Sequence, residues 1–389
     1  MEKKVVNNYG SFDTVFVKGK GATLWDKDGK KFIDFISGIG CNALGHNYKP
    51  LVKAVQKQAA KEIHISNYYL SDAGLEFAEK LLAATGFDGV YFGNSGAEAN
   101  EAAFKLARKY GYLNGGEKRR VIYTLKQSFH GRTMATLTAT GQDKFHPACF
   151  APYVEGFKTI AANDWEAIKT AFDDTTAALM IECVQGEGGV NLIDPEWAKA
   201  AAEAARKAGA IVMADEVQTG VGRTGAYLAS DALGFEPDVV TLAKSIAGGI
   251  PMGACLFRKK AAGVFVAGDH QSTFAGNPLA CRAATVVLET LQKPGFYQRV
   301  LAAGEKIRSE ISSWKNPLVV QVRGKGLMIG IQIKEGIKPF DIEVECMKQG
   351  LCVSTAGSDV VRFLPPLVIS DKEIDEGLKI FKAVLEKFN

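Results

Sequence analysis

Between Gly89 and Leu242 the chain repeats one unit: a short apolar run, a polar or glycine-bearing loop, then an alanine-rich amphipathic stretch. The runs are Gly89-Val90-Tyr91-Phe92, Arg120 to Leu125, Ala177 to Val184, Ile211 to Glu216 and Val239 to Leu242. Ala97 to Tyr110 and Pro195 to Ala208 read as helices among them. Runs that are apolar at consecutive positions, and not at alternate ones, suit strands buried on both faces. A parallel sheet covered by helices on each side provides that burial, so the expected fold class is α/β.

The flanks differ in texture. Thr23-Leu24-Trp25 and Lys31-Phe32-Ile33-Asp34-Phe35 enclose Asp26 to Lys30, whose Asp28-Gly29 step is a hairpin signal. A glycine-rich turn, Ser37 to Gly40, follows, and Pro50 to Lys61 predicts an amphipathic helix with Leu51, Val52, Val55 and Ala59 on its apolar side. After about residue 285 a helix from Tyr297 to Trp314 precedes short strands at Leu327 to Ile333 and Val360 to Leu364. A chain of 389 residues exceeds the usual single domain. The expected division is an N-terminal segment over 1–45 packing with a small C-terminal domain over 286–389, and a large domain over 46–285.

Composition excludes several classes of function. The net charge of +4 and a densest basic cluster of only Lys118-Arg119-Arg120 do not suit a nucleic-acid partner. No apolar stretch reaches the length of a membrane span, and Met1-Glu2-Lys3-Lys4 leads into polar residues and not into an apolar signal region. A cytoplasmic enzyme is the expectation. The seven cysteines are widely spaced without a Cys-x-x-Cys pair, and the five histidines do not cluster, so reduced thiols and no metal centre are expected.

Ligands of parallel α/β sheets sit beyond the carboxyl ends of the strands. Glu182, Asp215 and Lys244 each close or follow an apolar run at such an end. A lysine amine with a depressed pKa can condense with an aldehyde cofactor, and Lys244 precedes the small residues Ser245-Ile246-Ala247-Gly248-Gly249, which permit close approach. Asp215 is suited to keep a pyridine nitrogen protonated. Asn94-Ser95-Gly96-Ala97-Glu98-Ala99-Asn100 joins a strand to a helix and offers amides at a helix N-terminus to a phosphate. Taken singly, each has a plainer explanation: a surface lysine, a strand-end aspartate, an ordinary helix cap.

Together with Phe129-His130-Gly131-Arg132-Thr133, Glu182 through Gln185-Gly186-Glu187, Asp215 to Arg223 and Ser272-Thr273-Phe274, these motifs stand in an order that resembles the class III aminotransferases of fold type I over nearly the whole chain. The resemblance implies a large domain with a mostly parallel seven-stranded sheet, pyridoxal 5'-phosphate as cofactor and a homodimer with shared active sites. It implies that Lys244 binds the cofactor covalently and moves the substrate proton, that Asp215 pairs with the pyridine nitrogen, that Gln218 lies near the ring hydroxyl and that Phe129 stacks on the ring. Ser95, Gly96 and Ala97 would cup the phosphate, Thr273 would reach the phosphate of the neighbouring subunit, and Ser272 would lie on the substrate side. Arg132 and Arg362 become carboxylate clamps, with Glu187 covering Arg362 when the donor does not need it.

Gly40-Cys41-Asn42-Ala43-Leu44-Gly45-His46, Ser66-Asn67-Tyr68-Tyr69, Ala139-Thr140-Gly141-Gln142, Gly276-Asn277-Pro278-Leu279-Ala280 and Arg362-Phe363-Leu364-Pro365-Pro366-Leu367 are similar to the branch of that family acting on N2-acetylornithine with 2-oxoglutarate, in arginine biosynthesis. Gln271 and Ala275 stand where the family usually has glycines, and Gly357-Ser358-Asp359-Val360 replaces a Gly-Asn form. The alternatives are a related ω-amine transaminase (succinylornithine or succinyldiaminopimelate, ornithine δ-, or 4-aminobutyrate), a racemase or epimerase using the same lysine, and a non-enzymatic binding protein of the same fold.

Overall fold

The computed structural model describes residues 5–258 and 260–388. Met1–Lys4, which begin the expected N-terminal segment and the stretch read for a signal, lie outside the described residues, as do Lys259 and Asn389.

A seven-stranded sheet forms the centre, in the spatial order Gly89–Gly93, Gly253–Phe257, Val239–Leu242, Ile211–Asp215, Thr176–Glu182, Val121–Leu125, Phe157–Ile160. Gly253–Phe257 runs antiparallel to both its neighbours, and the strands from Val239 to Phe157 in that order pair in parallel. The consecutive apolar pattern has the predicted consequence. Every residue of Thr176–Glu182 and of Ile211–Asp215 is buried. Met180 and Met213 pack with the helix Gly96–Gly115 on one face, while Leu179, Val212 and Ala214 pack with Trp197, Ala198 and Ala201 of the helix Pro195–Lys207 on the other.

The hairpin of Thr23–Asp26 and Lys31–Asp34 forms, with Gly29 at φ +81° in its turn and Asp26 Oδ1 accepting from the Asp28 and Lys30 amides. It shares a sheet with a strand from near the other end of the chain, because Ile33 and Asp34 pair in parallel with Leu351 and Cys352. Val319–Lys325, Met328–Ile333, Val360–Phe363 and Ser354–Ala356 make a further antiparallel sheet.

One local reading needs correction. The helix Lys49–Lys61 buries Leu51 and Gln58, whereas Ala59 is exposed. The amide of Gln58 is satisfied by the Glu62 carbonyl, so an apparently polar position faces inward at no hydrogen-bonding cost. Five of the cysteines are buried, Cys41 is half-buried and Cys149 is exposed, all as free thiols. No helix among the described residues is long and apolar enough to cross a membrane.

Candidate functional site

The carboxyl ends of the central strands open into a cleft of about 350 Å³ lined by Asn94 to Ala97, Phe129 to Gly131, Glu182, Asp215, Gln218, Lys244 and Cys41. Parallel pairing places Asp215 in register with Glu182, so two carboxyls stand side by side at the carboxyl ends of two central strands. The next strand ends at Leu242, and the chain then turns sharply: Lys244 adopts φ +45° and starts a 3-10 turn over Lys244–Ala247. A left-handed non-glycine backbone is costly and persists where its surroundings fix it. Here the fixing bond is Ser245 Oγ to the Gly40 carbonyl at 2.6 Å, which also holds the Ser37–Gly40 turn and Cys41 against the cleft.

The Lys244 amine has no hydrogen-bond partner among the described residues. Burial, with Arg362 nearby, outweighs the opposing pull of Glu187, Cys41 and Asp215 and brings its pKa down, as a nucleophilic amine requires. Asp215 is the opposite case, a carboxylate held by three donors. His130 Nδ1 at 2.7 Å and Asn100 Nδ2 at 2.8 Å reach Oδ2, and the Val217 amide reaches Oδ1 at 3.0 Å. Asn100 is itself oriented by Thr241 Oγ1 at 2.7 Å and by the His130 carbonyl at 2.7 Å. His130 and Asn100 lie inside the motifs at 129–133 and 94–100, but neither closes an apolar run, so nothing in the sequence singles them out as site residues.

Ser95 caps the helix Gly96–Gly115, its hydroxyl accepting from the Glu98 amide at 3.1 Å. The first main-chain bond of this helix runs from Ala99 to the Ser95 carbonyl, so the amides of Gly96 and Ala97 have no partner among the described residues at the positive end of a long helix. A side chain at Gly96 would meet Val217 Cγ1 at 2.6 Å, and one at Gly253 would meet the Ser95 carbonyl at 2.2 Å, so small residues keep this turn in place.

Deeper in, Arg362, only 2% exposed, is ion-paired to Glu187 and donates to Gln218 Oε1 at 3.1 Å, while Gln218 Nε2 donates to Glu187 Oε1 at 3.2 Å. Burial pushes the Glu187 carboxyl up, but the Arg362 and Lys244 cations and the hydrogen bonds from Arg362 and Gln218 bring it below the usual carboxylate range. Arg132 is exposed, lies outside the cleft lining and has no carboxylate partner among the described residues; its guanidinium stacks on Phe145 at 4.3 Å and lies 5.6 Å from the ring centre of Phe129. Ser272 and Thr273 are not brought into this cleft. Ser272 Oγ accepts from Asn94 Nδ2 at 2.8 Å on its rim, and Thr273 is exposed.

This donor set fits a pyridoxal phosphate: an unpaired amine of lowered pKa, a rigid carboxylate one strand away, an aromatic ring in the wall and free helix-terminal amides for a dianion. Among the described residues no group of His, Cys, Asp and Glu could hold a metal ion.

Comparison with known proteins gives the same direction. The class-III aminotransferase family model matches residues 5–385. The chain is 43% identical to the acetylornithine aminotransferase of Caldanaerobacter subterraneus subsp. tengcongensis, covering 99% of this chain and 98% of that one. Among solved structures it resembles the N-acetylornithine aminotransferase of Stenotrophomonas maltophilia K279a (TM-score 0.86, 35% identity, 98% of each chain). It also resembles the ornithine aminotransferase of Toxoplasma gondii ME49 (TM-score 0.93, 32% identity, 99% of this chain and 94% of that one).

Proposed function

The chain belongs to the class-III aminotransferase family, and from that membership we propose that it transfers the δ-amino group of N2-acetylornithine to 2-oxoglutarate in a ping-pong cycle, giving N-acetylglutamate 5-semialdehyde and glutamate. The cofactor of the family is pyridoxal 5'-phosphate, which when bound supplies the electron sink for a carbanion beside the amino group. In this reading Lys244 binds it covalently, Asp215 faces its ring nitrogen, Gln218 its ring hydroxyl and Phe129 its face, with Ser95, Gly96 and Ala97 at the phosphate. Lys244 also carries the proton to and from the reacting substrate carbon, a role consistent with its lowered pKa and unpaired amine. His130 and Asn100 hold the Asp215 carboxylate in one orientation.

The observation that carries the substrate class is the buried Arg362 covered by Glu187, set against an unpaired Arg132. A donor with one carboxylate and a blocked α-amine needs only Arg132 and presents its far amine to the cofactor that Lys244 would hold. Glutamate, with two carboxylates, needs both guanidiniums, so Glu187 must leave Arg362. One cleft then serves both half-reactions, and masking the second cation avoids an uncompensated buried charge in the first. The names of the relatives in Caldanaerobacter and Stenotrophomonas support the acetylated donor.

The working unit proposed is a cytoplasmic homodimer in arginine biosynthesis, with Thr273 serving the partner's phosphate and Ser272 the substrate side. The proposed chain division is 1–45, 46–285 and 286–389. The backbone likeness to the Toxoplasma ornithine enzyme favours ornithine itself as the second reading.

Turnover of acetylornithine, succinylornithine, ornithine and 4-aminobutyrate with 2-oxoglutarate decides between them: acetylornithine is expected to lead, and a strong preference for free ornithine overturns the assignment. A visible absorption band present in the wild type and lost in Lys244→Ala is the companion test of the lysine.

A further inference from the structure

Glu182 has no part in the scheme above, yet it stands in register with Asp215 on the adjoining strand, 4% exposed, with its side chain in the cleft wall. The two carboxyls are unequally provided for. Asp215 receives three hydrogen bonds, whereas Glu182 receives one, from the Phe129 amide to Oε2 at 2.9 Å. Glu182 Oε1 has no partner among the described residues.

The charges around the pair give the same asymmetry. The inner cleft presents three carboxyls, Glu182, Glu187 and Asp215, to two cations, Lys244 and Arg362. Arg362 is engaged by Glu187. Among the described residues Lys244 is the one cation left for these two carboxyls, and burial weakens its own hold on a proton. His130 Nδ1 faces Asp215 and not Glu182, and among the described residues its buried Nε2 has no partner. Cys183, next in sequence, is a buried neutral thiol. Two adjacent carboxyls in a dry site do not both ionise, and the one with fewer donors keeps the proton. Burial and the Asp215 charge raise the Glu182 carboxyl well above its ordinary range, in line with this accounting of neighbours.

We propose that Glu182 works as a neutral carboxylic acid whose hydrogen is offered into the cleft, to an anionic oxygen of the bound ligand; for a pyridoxal cofactor that oxygen is the ring phenolate. The second part rests on the cofactor reading given above, whereas the protonation of Glu182 is a property of this chain alone. Glu182 is thereby a positioning residue that reads the charge state of the ligand: it favours an oxyanion beside it while Asp215 favours a protonated ring nitrogen.

The test uses the full-length protein. In the cofactor-free wild type at pH 7, infrared difference spectra against Glu182→Gln are expected to show one carboxylic-acid C=O band. The subtraction removes Glu216 and Glu343, whose pKa values burial raises to about 7 and which are the same in both proteins. In the second arm, pyridoxal 5'-phosphate is titrated into wild type, Glu182→Gln, which keeps a neutral donor, and Glu182→Met, which has none. The glutamine variant is expected to hold cofactor affinity and the pH midpoint of the visible band near wild type. The methionine variant is expected to lose about tenfold or more in affinity, the size of one hydrogen bond to a charged group, and to shift that midpoint. Absence of the acid band in the wild type, or a midpoint displaced as far by glutamine as by methionine, overturns the proposal. A wild type that takes up no chromophore overturns the cofactor reading instead, and the infrared band still decides the state of Glu182.

Discussion

Glu187 and Arg362 form a buried ion pair, and the masking role proposed for it predicts an effect on substrate choice and not on total activity. Removing the charge with Glu187→Gln leaves Arg362 open in both half-reactions. The ratio of kcat/KM for the δ-amine donor to that for glutamate is expected to fall at least tenfold, because truncating one side of a buried charge pair typically costs several kcal/mol. Stopped-flow half-reactions measure the ratio, and an unchanged ratio rejects the masking role. Because Glu187 lies below the usual carboxylate range, its mask is lost only as pH falls through that lowered value, and discrimination should stay flat from pH 6 to 8. Glu216 behaves oppositely. It is 1% exposed, and burial lifts its pKa to about 7 although Ser230 Oγ and the Ser230 and Ala229 amides all donate to it. A raised carboxyl adds stability that is complete below its unfolded value near 4.5 and is lost as pH rises through 7, on the order of 3 kcal/mol in all. Urea midpoints should therefore drop between pH 5 and 8 more in the wild type than in Glu216→Gln; equal drops would place the titration elsewhere.

Among the elements, the turn from Asn94 to Ala97 depends on a strand that no local pattern announced. Gly253–Phe257 follows Gly248-Gly249-Ile250-Pro251, punctuation that reads as a loop, and its reversed direction is set by pairing with residues more than 150 positions earlier at Gly89–Gly93. Phe157–Ile160 was equally hidden, since Lys158 and Thr159 are exposed on an edge strand and interrupt its apolar signal. What the sequence did reveal is the set of strands apolar at every position, because double-sided burial leaves a continuous run, and the polar residues that end them, because they are the first to leave the sheet. Lys244, Asp215 and the Ser95 turn were visible on that ground. His130 and Asn100 were not, since the aspartate they serve lies 85 and 115 residues away along the chain. The hidden strand has a measurable role. A methyl group at Gly253 meets the Ser95 carbonyl, the first acceptor of the helix, so Gly253→Ala must displace the turn. Cofactor affinity is expected to fall at least tenfold, with a loss of about 1–3 kcal/mol in stability, the usual cost of overpacking. Equilibrium titration and urea unfolding read the two effects separately; unchanged affinity would mean that the phosphate does not sit on that turn.

At the scale of the molecule, one surface is unfinished. Tyr68, Tyr69, Leu70 and Phe274 are exposed at 83, 73, 80 and 63%, and the segment bearing the first three is tied to the Ser272 loop by Asn67 Nδ2 donating to the Ser272 carbonyl at 2.6 Å. So large an apolar display beside a cleft is characteristic of a surface that another copy covers. Thr273 sits in the same loop, exposed and outside its own cleft, so its proposed work at a phosphate must be done in the partner. The consequence can be separated from any effect on folding by mixing two damaged chains. Thr273→Ala keeps Lys244 but offers its partner an impaired phosphate site; Lys244→Ala has no nucleophile but carries an intact Thr273. In a hybrid dimer the Lys244 of the first chain is served by the Thr273 of the second, and one complete site is rebuilt. At limiting pyridoxal 5'-phosphate the mixture, after subunit exchange, is expected to bind and turn over more than the sum of the two variants measured apart. If Thr273 acted within its own chain, the rebuilt site would lack it and the mixture would equal that sum, so strict additivity, with exchange verified by a mass tag, would exclude a shared active site.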